Sequence, residues 1–194
     1  MIKNICAGLL ILCQSTFDFQ KDFEYNNNEE FIKGVKNCAL FYNADLPAKD
    51  RIPIEIIVGQ ASLESDWGKS RFAIEGNNLY GMREYDLTEP HIKPLGNLEA
   101  NFGLKVYPTK CLSVVHYIET LLSHRSYAEF REKMYDMWVV DEYDIFLLTE
   151  MLYNYSADKD YAIKTSLPRE YSKHGGPTYQ PRNLGVVKQG QPDC

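Results

Sequence analysis

Apolar residues recur at helical intervals along most of the chain and alternate in one short stretch. Phe31, Val35, Cys38 and Tyr42 are spaced four, three and four apart, which predicts a helix over 29–43. Asn28 is placed to cap it, with Glu29 and Glu30 in the first turn, where the helix dipole favours negative charge. The loop NADLPAKDRI then leads to Pro53, a residue suited to the first helical position. Ile56, Gln60, Leu63 and Trp67 share one face of this second helix, and Gly68 is expected to end it. Ser70–Glu75 reads as a short further turn of helix. It runs into Gly76-Asn77-Asn78, residue types that tolerate left-handed backbone.

Between Met82 and Tyr107 the period changes. Prolines at 90 and 94, glycines at 96 and 103, and the alternation Phe102, Leu104, Val106 predict a small, irregular β-hairpin lobe. Helices return from Thr109: Val114, Ile118 and Leu121 mark one, and Tyr127, Phe130 and Met134 another. Asp141 is expected to open a third, carrying Ile145, Leu148 and Leu152 inward. A last short helix over 158–166 stops before Pro168, and the Pro- and Gly-rich remainder reads as an extended tail. The expected fold class is α+β, predominantly α-helical, with one minor β lobe inserted after the second long helix.

The amino terminus changes this picture only locally. Lys3 precedes nine apolar residues, Ile5 to Cys13, and small polar residues follow. The pattern resembles a short secretory leader and is too short to span a bilayer as a helix, so no membrane span is expected. Lys3 is its only positive charge and no small-x-small cleavage site follows, so a buried amino-terminal segment or a contact with a partner subunit is the other reading. The expected organisation is an apolar segment or leader over 1–16, one domain over 17–167 and a tail over 168–194.

Composition supports one folded domain: 194 residues, 44% hydrophobic and 25% charged. The net charge of -6, with no Lys/Arg cluster on any one segment, argues against nucleic acid as a partner. Five cysteines are scattered without CxxC spacing, and Cys38 and Cys111 lie within the domain in apolar stretches. A bridge between these two is compatible with the sequence and not dictated by it. The four histidines lack the spacing of a zinc hydrolase, and no phosphate loop, Gly-x-Gly-x-x-Gly or Ser-His-Asp pattern occurs. No metal or cofactor is expected.

One stretch carries candidate chemistry: PIEIIVGQASLESDWGKSRFAIEGNNLYG, residues 53–81. It sets Glu64 near the end of an apolar helix, beside Leu63 and three residues before Trp67. A carboxyl group in such surroundings can stay protonated near neutral pH, as a general acid for glycosidic bond cleavage must. The other reading of Glu64 is a solvated helix carboxylate.

QASLESDWGKSRFAIEGNNLYG closely resembles the signature of the peptidoglycan glucosaminidases, glycoside hydrolase family 73, in its Bax-like branch. KVYPTKCLSVVHYIETLLSHRSYAEFREK is similar to that family's hairpin exit and following helix, and YNYSADKDYAIKT to its Y-A-T-D-P-x-Y-A ending. The three blocks follow the family order across roughly 53–165. The resemblance implies a lysozyme-like fold, with Glu64 as the catalytic acid on the helix that floors a cleft. It implies that Trp67, Asn77, Asn78, Leu79, Tyr80 and Gly81 shape or contact the substrate site. It implies that Tyr155 presents a hydroxyl to an acetamido group or a water; the alternative is a core tyrosine. A second carboxylate belongs on the β lobe. Glu89 is nearest to the family position, Glu99 is the rival, Glu84 and Asp86 are weaker candidates, and the substrate's own 2-acetamido group is another option.

The resemblance points to a peptidoglycan glycan strand as partner and to cleavage after N-acetylglucosamine. A lytic transglycosylase of the same fold is the alternative, as is a glycan-binding or structural component of a larger assembly such as a phage tail or cell-envelope complex. The expected location is extracytoplasmic if residues 1–16 are a leader, or virion-associated in the second case.

Overall fold

In a computed structural model the residues described are 18–152. The segment 1–16, Tyr155, the helix expected over 158–166 and the tail 168–194 lie outside them. Six α-helices and three short strands make up the described part. They are α1 (Asn28–Asp45), α2 (Ile54–Glu64), α3 (Arg71–Gly76), β1 (Arg83–Glu84), β2 (His91–Ile92), β3 (Gly103–Lys105), α4 (Lys110–Ser123), α5 (Ala128–Val140) and α6 (Ile145–Glu150).

α1 begins one residue earlier than its apolar pattern suggests, because Asn27 rather than Asn28 is the cap. Its side chain accepts from the Glu30 amide at 2.9 Å. Phe31, Val35 and Cys38 are buried, as their spacing predicts, with Ala39 beside them; Tyr42, expected on the same stripe, is only half-buried and donates its hydroxyl to Glu119 at 2.9 Å.

α2 departs from the expectation of one apolar face. Every residue from Ile56 to Ser62 is buried, while Leu63 is 38% exposed. The helix runs through the interior between α1, α4 and α6, so it is covered on all sides rather than along a stripe. Around it pack Phe31 and Val35 of α1, Val114, Tyr117, Ile118 and Leu121 of α4, Phe130 and Met134 of α5, and Leu148 of α6. Each large apolar side chain removed from water in this way contributes about 1.5–3 kcal/mol. A disulfide joins Cys38 of α1 to Cys111 of α4, with Cα atoms 5.3 Å apart across 73 residues of chain.

The β lobe is a three-stranded antiparallel sheet rather than a simple hairpin, ordered β1-β3-β2. Its last strand in sequence is central: Arg83 pairs with Leu104 and Glu84 with Gly103 on one side, His91 with Lys105 and Ile92 with Leu104 on the other. The period-two signal of Phe102, Leu104 and Val106 was strongest because β3 is the strand bonded on both edges.

Asp141 does not open the sixth helix. It ends α5 in left-handed backbone (φ 59°), a conformation Asp tolerates, and Asp144 caps α6 by accepting from the Leu147 amide at 3.0 Å. No described helix is long and apolar enough to cross a membrane.

Candidate functional site

Glu64 is the last residue of α2 and is half-buried. The helix stops there through backbone bonding. Asp66 takes the left-handed position just past the end (φ 49°), its amide donates to Leu63 O at 3.4 Å, and the Trp67 amide donates to Ser62 O at 2.9 Å. This paired closure is a Schellman motif, usually built on glycine; here an aspartate fills the position. Gly68, expected as the terminator, comes two residues later.

Three consecutive residues, Asp66, Trp67 and Gly68, have positive φ (49°, 58° and 77°), so the chain turns sharply below Glu64. Ser65 braces the turn. Fully buried, its hydroxyl donates to Ala61 O at 2.6 Å and accepts from the Gly68 amide at 2.7 Å. Gly68 is required twice over. Its φ disfavours a side chain, and a Cβ there would lie 2.7 Å from Tyr25 Cζ and 2.8 Å from Phe31 Cε2. Tyr25 completes the contact by donating its hydroxyl to Gly68 O at 2.7 Å. Trp67 is half-buried and packs against the core.

The Asn-Asn-Leu-Tyr-Gly run ties the two lobes together. Asn77 caps α3 in left-handed backbone (φ 51°), and its Nδ2 donates to Tyr107 O at 2.9 Å and Pro108 O at 3.2 Å. Asn78, 1% exposed, donates from Nδ2 to Met82 O at 2.8 Å and Lys105 O at 3.0 Å. Its Oδ1 accepts from the Met82 amide at 3.0 Å. Leu79 is fully buried and its amide donates to Ser113 Oγ of α4 at 3.1 Å.

Tyr80 is also core. Its ring stacks on Tyr117 at 4.0 Å and 3° between planes, and its hydroxyl donates to Ile57 O of α2 at 3.2 Å. Burial pushes that phenol well above its ordinary range. Gly81 supplies a φ of 64°. The side chains of Asn77, Asn78, Leu79 and Tyr80 therefore engage the protein itself.

A polar joint lies where the β lobe returns to α4. Glu84 pairs with Lys105, which holds its carboxyl below the usual range. The Tyr107 hydroxyl meets His116 Nδ1 at 2.5 Å. Burial, helped by Lys105, lowers His116 from 6.5 against the opposing pull of Glu119 and Glu84. Burial likewise raises Tyr107.

The remaining candidate acids stand apart from this joint. Glu89 is exposed in the β1–β2 turn, its amide donating to Asp86 O at 3.0 Å. Glu99 is exposed in the segment before β3. Asp86 is committed to the Thr88 amide and hydroxyl, at 3.0 and 2.7 Å. Tyr155 lies outside the described residues. Among the described residues no group of three or more His, Cys, Asp or Glu side chains is arranged to hold a metal. Ser65, Tyr117 and the Glu84–Lys105 pair matter here without any motif in the chain that names them. Of these only Ser65 left a local trace, as a small hydroxyl residue directly after the helix end.

Compared with known protein families, residues 42–167 match Glucosaminidase, described as mannosyl-glycoprotein endo-beta-N-acetylglucosaminidase. No curated protein matches the chain, and no solved structure does. The matched span runs from the end of α1 through the β lobe and beyond α6, and the α+β architecture is that of a lysozyme-like domain. The chain belongs to the glucosaminidase family and is a glycoside hydrolase.

Proposed function

We propose that the protein hydrolyses peptidoglycan at the glycosidic bond after N-acetylglucosamine, with Glu64 as general acid. The observation that carries this reading is the position of Glu64. Within the family match, it is the half-buried carboxyl at the C-terminal end of the central helix, on a turn braced by Ser65 and Gly68.

Glu64 protonates the leaving oxygen while positive charge grows on the anomeric carbon. The opposite face needs an anion, from a β-lobe carboxylate or from the substrate's own acetamide. Glu84 is a poor choice, because Lys105 already neutralises it. Glu89 and Glu99 are exposed and, among the described residues, have no side-chain partner. Tyr155 would hold the acetamido group or a water.

Glu64→Gln should reduce lysis of purified sacculi by about 10²–10⁴-fold, the usual share of a general acid, without loss of folding. A folded variant that lyses at the native rate refutes the assignment. The released end identifies the reaction: reducing N-acetylglucosamine supports hydrolysis at this bond, and a 1,6-anhydro-muramyl end indicates a lytic transglycosylase. The Cys38–Cys111 bridge supports a working place in an oxidising, extracytoplasmic compartment.

A further inference from the structure

Among the described residues β1 is an edge strand, and its two faces carry different chemistry. Glu84 points to one face, where Lys105 pairs with it. Arg83 and the following Tyr85 share the other. Continuing the register one residue places Tyr85 opposite Phe102, and their rings lie 6.2 Å apart. The Arg83 guanidinium sits over Phe102, 4.5 Å from the ring centre. Towards β2 this face is closed, since Leu104 is buried and Ile92 packs against Gly76 of α3. Towards β1 it is open, with Arg83 exposed and Tyr85 63% exposed.

The cations of this region are not equivalent. Lys105 is matched by Glu84 and Arg71 by Glu75, while Lys93 donates to the Ala100 carbonyl at 2.5 Å. Arg83 alone of these four has neither an anion nor a carbonyl as partner among the described residues, although the chain carries a net charge of -6. A guanidinium held over an aromatic ring still has an N–H fork to offer, the group that takes a carboxylate with two hydrogen bonds. Beside it, an exposed tyrosine ring offers a flat apolar face to the C–H face of a sugar, and its hydroxyl offers a polar edge.

We infer that Arg83, Tyr85 and Phe102 form a platform for the peptide-bearing form of the glycan. The Tyr85 ring packs on a sugar and Arg83 takes a free carboxylate of the attached stem peptide. The inference rests on the peptidoglycan reading above and adds a preference within it, for strands that still carry peptide. It also supplies the cationic contact that an acidic protein needs to hold an anionic polymer.

The test compares kcat/KM of the full chain on peptidoglycan with its stem peptides and on the same glycan after amidase removal of those peptides. The wild type is expected to favour the peptide-bearing strand, and Arg83→Gln to lower that preference about fivefold, the scale of one charge-assisted contact near the surface. Arg83→Lys, which keeps the charge and loses the fork, should fall between them. Tyr85→Ala is expected to weaken action on both strands alike. An Arg83→Gln variant with the wild-type preference, or a Tyr85→Ala variant with wild-type rates, overturns the platform while the hydrolase reading stands. A wild-type chain inactive on both strands overturns the peptidoglycan reading and the platform with it.

Discussion

Asn78→Asp is the sharpest test of how the two lobes are joined. The substitution keeps the shape and the acceptor facing the Met82 amide, but it removes both donors that meet Met82 O and Lys105 O at 2.8 and 3.0 Å. The ionised form loses both hydrogen bonds, at about 1 kcal/mol each, and the protonated form loses one. The new carboxyl, at a site 1% exposed and facing two carbonyl oxygens, is stable only when protonated, when it regains one donor. Holding that proton at pH 7 against an ordinary value of about 3.9 costs up to about 4 kcal/mol, so with the one lost bond the total comes to roughly 3–5 kcal/mol.

Because the folded-state value of the new carboxyl is raised, the defect must grow as pH rises above about 4 and shrink at lower pH. Thermal melts of both proteins at pH 7 and pH 4.5 measure it. At pH 7 the midpoint should fall by about 6 °C or more, with a smaller gap at pH 4.5. A midpoint within about 2 °C of wild type at pH 7, or a gap that ignores pH, would refute the bonding described for Asn78.

Replacing both Cys38 and Cys111 by alanine removes a cross-link spanning 73 residues, worth about 4 kcal/mol on the chain-entropy relation. The midpoint in non-reducing buffer should drop by about 10 °C, and an unchanged melt would show that the bridge adds no stability. Gly68→Ala adds left-handed strain to a Cβ pressed on Tyr25 and Phe31. A loss of about 3 kcal/mol in denaturant titration is expected, and one below about 1 kcal/mol contradicts the close packing. His116 is held below 6.5 by burial and Lys105, so the unfolded chain takes up its proton first as pH falls. Stability supplied by neutral His116 is therefore complete above about pH 6.5 and declines as pH drops through the lowered folded value. His116→Gln should flatten the fall in melting temperature between pH 7.5 and pH 5, and parallel pH profiles would argue against this coupling.

Helical periodicity was legible where one face is buried, as in α1 and α4, because the apolar stripe is then written in the spacing. It misled at α2, where burial all round erases the stripe and a Schellman closure on Asp66 stops the helix before Gly68. Asp141 misled for a related reason, since aspartate serves equally as an amino-terminal cap and as a left-handed terminator. The Asn77-Asn78 turn was readable from residue type. Its partners were not, because Lys105, Tyr107 and Pro108 lie more than two dozen residues away along the chain. The strand order and the Cys38–Cys111 pairing share that difficulty: both are facts of topology, and no local pattern encodes them. Of the candidate site, residue types in the 53–81 block marked Glu64, whereas the commitment of Glu84 to Lys105 appears only in three dimensions.

The paired asparagines also set what can vary. Asn77 and Asn78 bind the outgoing chain at Tyr107 and Lys105 to the incoming chain at Gly76 and Met82, and the Tyr107 amide adds a bond to Gly76 O at 2.9 Å. This seam behaves as a socket, so the exposed turns on either side of β2, roughly 85–89 and 95–99, can diverge in length without disturbing the helix that ends at Glu64. A chimera cut inside the seam should therefore fold, while one cut through it should not.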